Sequence, residues 1–332
     1  NLGYDIPFKL LFENPTIKLL CKGIEKIKGN KDLIESRVTA VSKEGEKIPL
    51  SYAQRRIWFM EKLFPNIPLY NIPLAFTIQG HLDMTSFMKA FFLLVKKHAV
   101  LRTKFFDNDN SEPYQVVIGD IKIKSNLHLI RNLRHNEKVN LFQIEGMIGV
   151  SQSCFLKVDY VDLRSFSREK WEQELGKRLH ISSHEIINIS DDPLVQASLY
   201  HLEEDKYVLS IKIHHIIFDA GSSPLFLNDL GLFYNLYLKK EETPDLTLPV
   251  QYSDFILWQH KLLTGEYLIK KLDFWREFIG DGSSYFSLSL DKTRPSQLDF
   301  SGKEHCFKVD KQLALKVRKL AQKNNLSVYI LL

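Results

Sequence analysis

Two histidines stand side by side, His214 and His215, in the stretch "KIHHIIFDAGSS". Asp219 follows four residues after the second, and Ala220, Gly221 and Ser222 complete a short turn. The preceding residues alternate as a strand does, so Leu209, Ile211, Ile213 and His215 share one face while Ser210, Lys212 and His214 share the other. A histidine that closes an apolar row beside a turn can point into a cleft. Two histidines that chelate one ion must converge, at i and i+4 on a helix or i and i+2 on a strand. Adjacent positions diverge, which disfavours a shared metal. No GxSxG nucleophile elbow is present, and Cys154 has no local signature of a nucleophile. What remains is a general base working without a protein nucleophile, in direct transfer between two bound substrates. Asp219 would pair with a cation and hold the turn. The competing reading makes both histidines satisfied core residues.

The elements around this stretch alternate between the two periods. "PLAFTIQG" alternates with Leu74, Phe76 and Ile78 on one face. A helix is predicted from about Met84 to His98, with Phe87, Phe91, Leu94 and His98 at helical spacing. "TKFF" and "YQVVI" read as strands. Trp171, Leu175 and Leu179 mark another helix, and "PLVQASLYHL" with "YVLSIKIHH" form a hairpin around "EEDK". "SYAQRRIWFMEKL" is amphipathic with Ile57, Met60 and Leu63 in register. "LFLNDLGLFYNLYLKK", "SDFILWQHKLL", "KKLDFWREFI" and "KQLALKVRKLAQKNN" are helical, and "GSSYFSLSLDKTRPSQLDFSG" is strand and loop. "LSVYILL" opens a new apolar element. This mixture is an α/β arrangement. Residues 119 to 160 show weak periodicity and define no element. Asn14 and Pro15 are start signals for a helix whose face holds Ile17, Leu20, Cys21 and Ile24. Residues 29 to 47 are polar, aperiodic and read as a linker.

Composition excludes several classes. The 332 residues are 44% hydrophobic and 26% charged, as in globular chains. No run of about 18 uncharged apolar residues exists, so no transmembrane helix is expected. No secretory signal opens the chain. Cys21, Cys154 and Cys306 are odd in number and far apart, which suits a reducing cytoplasm and neither a disulfide framework nor a structural zinc site. The net charge of +5 is spread along the chain, without the dense basic footprint of a nucleic-acid binder.

"HHIIFDAGS" resembles the HHxxxDGxS motif of condensation domains in nonribosomal peptide synthetases. "SYAQRRIWFM" resembles that family's S-x-A-Q-x-R-x-W, "KHAVLRTKF" its R-H-E-x-L-R-T-x-F, "YSDFILWQ" its Y-x-D-[FY]-A-x-W-Q, and "LDKTRPSQLDFSG" its D-R-P-R-P…G segment. The ordered set spans residues 48 to 332. "LFENPTIKLL" is similar to the last helix of a peptidyl carrier domain, which makes residues 1 to 28 a carrier remnant lacking the phosphopantetheine serine.

The resemblance implies two lobes, each like chloramphenicol acetyltransferase, forming a V around a tunnel. The first would span residues 48 to 223 and the second, incomplete here, 224 to 332. It implies amide bond formation between an upstream carrier-bound acyl or peptidyl thioester and the amine of a downstream carrier-bound aminoacyl thioester. Partners would be the two carrier domains and an adenylation domain of the same assembly line. No cofactor or metal would be bound directly, because phosphopantetheine arms deliver the substrates. His215 matches the family's catalytic histidine, and His214 is structural. Asp219 matches the aspartate that pairs with the arginine of L-R-T, here Arg102. Ala220 stands where the family has glycine, and Gly221 where a tryptophan often follows. A left-handed backbone at Ala220 would cost on the order of 1 kcal/mol. Residues 119 to 160 exceed the family's usual connection and are expected to be a surface insertion. The alternatives are a catalytically silent docking domain and an acyl-CoA-dependent acyltransferase of the same superfamily.

Overall fold

The computed structural model describes residues 16–28, 38–108, 111–132, 137–148, 151–280, 290–291, 300, 302, 305 and 307–331. The chain divides into two compact units, 1–283 and 284–332.

The first unit is built on a six-stranded sheet in the order β2-β9-β8-β7-β6-β5. Its strands are β2 (Asn71–Gln79), β5 (Ile121–Ser125), β6 (Lys138–Ile148), β7 (Ser151–Asp162), β8 (Val195–Glu203) and β9 (Lys206–His214). All neighbours are antiparallel except β7 and β8, which run parallel. A parallel pair needs a crossover, and the helix Arg168–His184 supplies it. A small sheet, β1-β4-β3, holds Lys47–Pro49, Thr103–Asn108 and Ser111–Val117 as β1, β3 and β4.

Helices in chain order are α1 (Ile17–Lys28), α2 (Tyr52–Leu63), α3 (Met84–Lys97), the crossover α4 (Arg168–His184), α5 (Ser222–Lys239), α6 (Tyr252–Leu262) and α7 (Gly265–Ile279). The large sheet is covered on both faces. Leu199, Leu209, Ile211 and Ile213 join the main core with Phe87, Phe91 and Leu94 of α3 and Phe226, Leu230 and Phe233 of α5. Tyr200, Leu202 and Val208 face the other way, against Trp171, Leu175 and Leu179 of α4. Odd and even positions of one strand thus enter two separate cores, the period-2 rule read on both sides.

The second unit contains α8 (Lys311–Lys323) and α9 (Val328–Leu331). The Asp310 carboxylate caps α8 by accepting from the N–H groups of Gln312 and Leu313 at 2.9 and 3.0 Å. Among the described residues no helix is long and apolar enough to cross a membrane.

Several expectations need correction. Residues 119 to 160 are not a surface insertion. They contain β5, β6 and β7, and Leu141, Phe142, Ile144, Leu156, Val158 and Tyr160 are buried in the main core. One register shift leaves Leu141 without a pairing partner in β6 and the other leaves Phe155 without one in β7, so the alternation of each strand is broken and its sequence period is hidden. Phe226, Leu230 and Phe233, which follow Ser223 in the chain, belong to the core of the first unit. The described part of the expected linker is not free. Asp254 of α6 accepts from the N–H groups of Val41 and Ser42, both at 2.8 Å, and from the Ser42 hydroxyl at 2.7 Å. Asn14 and Pro15 lie outside the described residues. So does nearly all of "GSSYFSLSLDKTRPSQLDFSG". In α1 Ile17 and Leu19 are exposed.

Asp254 also accepts from the Gln251 N–H at 2.7 Å. Burial works to raise its pKa, but the hydrogen bonds from Gln251, Ser42 and Val41 outweigh it and hold the carboxyl below the usual range. A depressed folded pKa gives stability that is complete above the unfolded value and is lost as pH falls through the folded one. Asp254→Asn should therefore destabilise by about 2–3 kcal/mol at neutral pH in urea unfolding. The gap between parent and variant should close as pH falls below about 4.

Candidate functional site

The site forms where β9 ends. The strand stops at His214, and His215 opens the turn instead of continuing the apolar row. The His215 N–H donates to the Tyr70 carbonyl at 2.8 Å. The Ile217 N–H donates to the His214 carbonyl at 3.1 Å. The side chain of His214 is buried, while that of His215 is exposed. His214 Nδ1 accepts the Ile216 N–H at 3.2 Å, and Nε2 lies 3.3 Å from Glu61 Oε1. The ring of Tyr70 stands edge-on to that of His215, with centroids 6.2 Å apart.

The N-terminus of α2 forms the facing wall. Ser51 and Gln54 make a reciprocal capping box. Gln54 is buried and donates from Nε2 to the Ile216 carbonyl at 3.2 Å. Its Oε1 accepts from Gln115 Nε2 at 2.8 Å. The sequence stripe Ile57, Met60, Leu63 locates only part of the buried face of this helix. Leu63 is exposed, and the buried positions are Gln54 and Ile57.

His215 opens onto a cavity of about 330 Å³, lined also by Gln54, Arg56, Val100, Asp219 and Tyr252. An apolar recess of about 80 Å³ shares Val100, Ile217, Phe218 and Ser222 with it and ends on Leu225 and Phe226. Tyr252 and Gln54 are engaged by Ser51 and by Gln115. Among the described residues neither the His215 ring nor Arg56 has a hydrogen-bond or ion-pair partner.

Asp219 does not pair with Arg102. Its Oδ1 accepts the Ser222 N–H at 2.8 Å and the Ser222 hydroxyl at 2.6 Å, closing the turn into α5. The Ser222 hydroxyl is the main reason its carboxyl sits below the usual range. The Ser222 N–H and nearby His215 act the same way, and burial opposes them. Arg102 is buried, donates to the Ile118 carbonyl, and meets Glu44 at 2.7 Å. The arginine therefore ties the approach to β1 to the segment after β4, away from the histidine turn. Neither Ala220 nor Gly221 has a positive φ, so glycine is not required at Ala220 and the expected strain is absent.

The arrangement offers a proton acceptor in a cavity. Ser222 donates its hydroxyl to Asp219, and burial pushes the Cys154 thiol up to about 11. Neither is an activated nucleophile. Among the described residues no cluster of three or more metal-ligating side chains occurs. Glu61, Tyr70 and Glu44 went unread in the sequence. Glu61 had a signal, because it lies seven residues after Gln54 on one helical face.

The chain belongs to the condensation-domain family of nonribosomal peptide synthetases: the family model for the condensation domain matches residues 44–155 and 152–332. It is 30% identical over 329 residues to a linear gramicidin synthase of Brevibacillus parabrevis, covering 99% of this chain and 6% of that protein. It is 27% identical to a dimodular nonribosomal peptide synthase of Bacillus subtilis (strain 168), covering 100% of this chain and 12% of the relative. The chain thus spans a small part of the relatives it matches.

Among solved structures, the X-domain from teicoplanin biosynthesis superposes with a TM-score of 0.65 at 18% identity, covering 88% of this chain and 56% of that one. The first condensation domain of the calcium-dependent antibiotic synthetase, in complex with a substrate analogue, gives 0.56 at 17% identity, covering 71% and 49%. At these identities the structures show the fold, a mixed α/β condensation-domain fold of which this chain matches about half.

Arg102→Ala should destabilise by about 1–3 kcal/mol, because the Ile118 carbonyl loses a buried donor. Asp219→Ala should leave that cost unchanged in the double variant, within about 0.5 kcal/mol. Urea unfolding of the parent, both single variants and the double variant measures this directly.

Proposed function

We propose that the chain catalyses amide bond formation between a carrier-bound acyl or peptidyl thioester and the amine of a second carrier-bound aminoacyl thioester, with His215 as the base. The observation that carries this reading is the difference between two adjacent histidines. His214 has both ring nitrogens engaged inside the protein, and His215 presents an unengaged ring to the cavity.

The chemistry needs little more. An α-amino group has a pKa of about 7.7–8.0, so part of it is already unprotonated near neutrality. A thioester is a good electrophile, and the remaining barrier lies in alignment and in the charge of the tetrahedral intermediate. The amine nitrogen attacks the thioester carbonyl, and its proton passes to His215 as the carbon–nitrogen bond forms. Collapse of the intermediate breaks the carbon–sulfur bond. The departing thiolate then takes the proton from His215.

In this reading residues 1–28 are the end of an upstream carrier domain. The condensation domain of this reading has two lobes and a tunnel, and adenylation and carrier domains of one assembly line are the partners. Phosphopantetheine arms bring both substrates, so His215 needs no cofactor beside it.

A second reading is a docking domain without turnover. It is favoured by one similar solved structure, the complex of the X-domain and OxyB from teicoplanin biosynthesis, at a TM-score of 0.60 and 21% identity. Single-turnover assays with two loaded carriers separate the readings, and acyl-CoA in place of the donor carrier tests the related acyltransferase chemistry. His215→Ala should keep the fold and carrier docking and lower turnover by roughly 10²- to 10⁴-fold. His214→Ala should act mainly through stability. Condensation by His215→Ala at the parent rate would remove His215 from the mechanism.

A further inference from the structure

We propose that Glu61 is a positioning residue for His215 that acts through His214. By holding the His214 proton on Nε2, it leaves Nδ1 to accept the Ile216 N–H and so fixes the turn that aims His215 into the cavity. The inference rests on the proposed role of His215.

The hydrogen-bond chain has two ends of known polarity. A carboxylate only accepts and a backbone N–H only donates. Glu61 Oε1 lies 3.3 Å from His214 Nε2, and the Ile216 N–H lies 3.2 Å from Nδ1. A single tautomer satisfies both contacts, with the proton on Nε2 and the lone pair on Nδ1. The opposite tautomer would set a lone pair against the carboxylate and a donor against a donor. The partner of one ring nitrogen thus decides the state of the other.

The buried Ile216 N–H has no other acceptor among the described residues. Left unpaired, such a group pulls the turn out of place. The Ile216 carbonyl accepts from Gln54 Nε2 at 3.2 Å. Gln54 and Glu61 both belong to α2, seven residues apart. One helix therefore grips both polar groups of the residue that follows His215, one directly and one through His214. The His215 N–H is itself held by Tyr70. Both flanks of the histidine are fixed while its ring stays free. The Glu61 carboxylate is nearly buried, with 11% of its side chain exposed, and His214 is its partner. Glu61 also lines a separate cavity of about 340 Å³ with Asn66 and Ile187, which shares no lining residue with the His215 cavity.

The first test needs no variant. Histidine-labelled ¹⁵N spectra of the chain should show His214 protonated on Nε2 and unprotonated on Nδ1. A proton on Nδ1 overturns the proposal. Glu61→Gln keeps an acceptor, so it should keep the tautomer and a kcat within about threefold of the parent, measured with loaded carriers in the natural polypeptide. Glu61→Leu should mix the tautomers and lower kcat by about 10- to 100-fold, with KM for both carriers unchanged.

A folded Glu61→Leu protein with parent kcat, or with its loss confined to KM, overturns the proposal. Should Glu61→Leu fail to fold, Glu61→Gln decides. Parent kcat with the proton moved to Nδ1 refutes it, as does lost kcat with the tautomer kept. Failure of the proposed function reads differently: His215→Ala turns over at the parent rate while the spectra stay as described.

Discussion

The Ile216 N–H is buried at the point where a strand ends, and His214 supplies its acceptor. The site follows from this contact. At a strand end the ladder no longer pairs the backbone, and each freed group needs a partner. Tyr70, Gln54 and His214 provide three such partners within the span from His215 to Ile216. The turn is thereby held at fixed points, and a side chain between them can remain exposed without becoming loose. The first histidine is consumed in building the turn, which leaves the second available for chemistry.

The same demand for satisfied polar groups holds the sheet around the site. Asn71 donates to the carbonyls of Ser183 and Glu185 at 3.1 and 2.8 Å. The buried Lys212 reaches the Glu185 carbonyl and carboxylate, both at 3.3 Å. The last carbonyls of α4 lack partners within the helix, and these two side chains answer them. They do so on β2 and β9, beside the histidines. Burial lowers the pKa of Lys212, and Glu185 acts against that effect. Lys104 performs a similar task for the carbonyls of Asp191 and Asp192 at the entry to β8. Helix termini and strand ends are thus pinned together near the site by buried donors.

The turn itself shows how a motif can change without losing its geometry. A glycine after Asp219 would permit a left-handed backbone, yet the chain keeps negative φ at Ala220 and Gly221. Asp219 accepts two hydrogen bonds from Ser222, the first residue of α5, and so holds the turn that leads into that helix. The small side chain of Ala220 is compatible with that path. The aspartate therefore has a local task, and the arginine read as its partner serves another part of the fold, between Glu44 and Ile118.

Much of this protein was legible in its sequence. Short-range physics made the α3 stripe of Phe87, Phe91 and Leu94, the β8–β9 hairpin and the Trp171 helix readable, because side-chain period and backbone period coincide there. The motif order around His214 and His215 pointed to the condensation-domain family for the same local reason. Where the period breaks, tertiary structure decided. A bulge in each of β6 and β7 hid them, so three strands at one end of the sheet read as an insertion. The pairing of Arg102 with Glu44, 58 positions earlier in the chain, and of His214 with Glu61 joins residues that no local pattern links. Ion pairs depend on which strands and helices meet in space. The motif already set His215 apart from His214, but only the folded chain decided how: the strand ends at His214, which Glu61 and the Ile216 N–H enclose, and His215 enters the turn and faces the cavity.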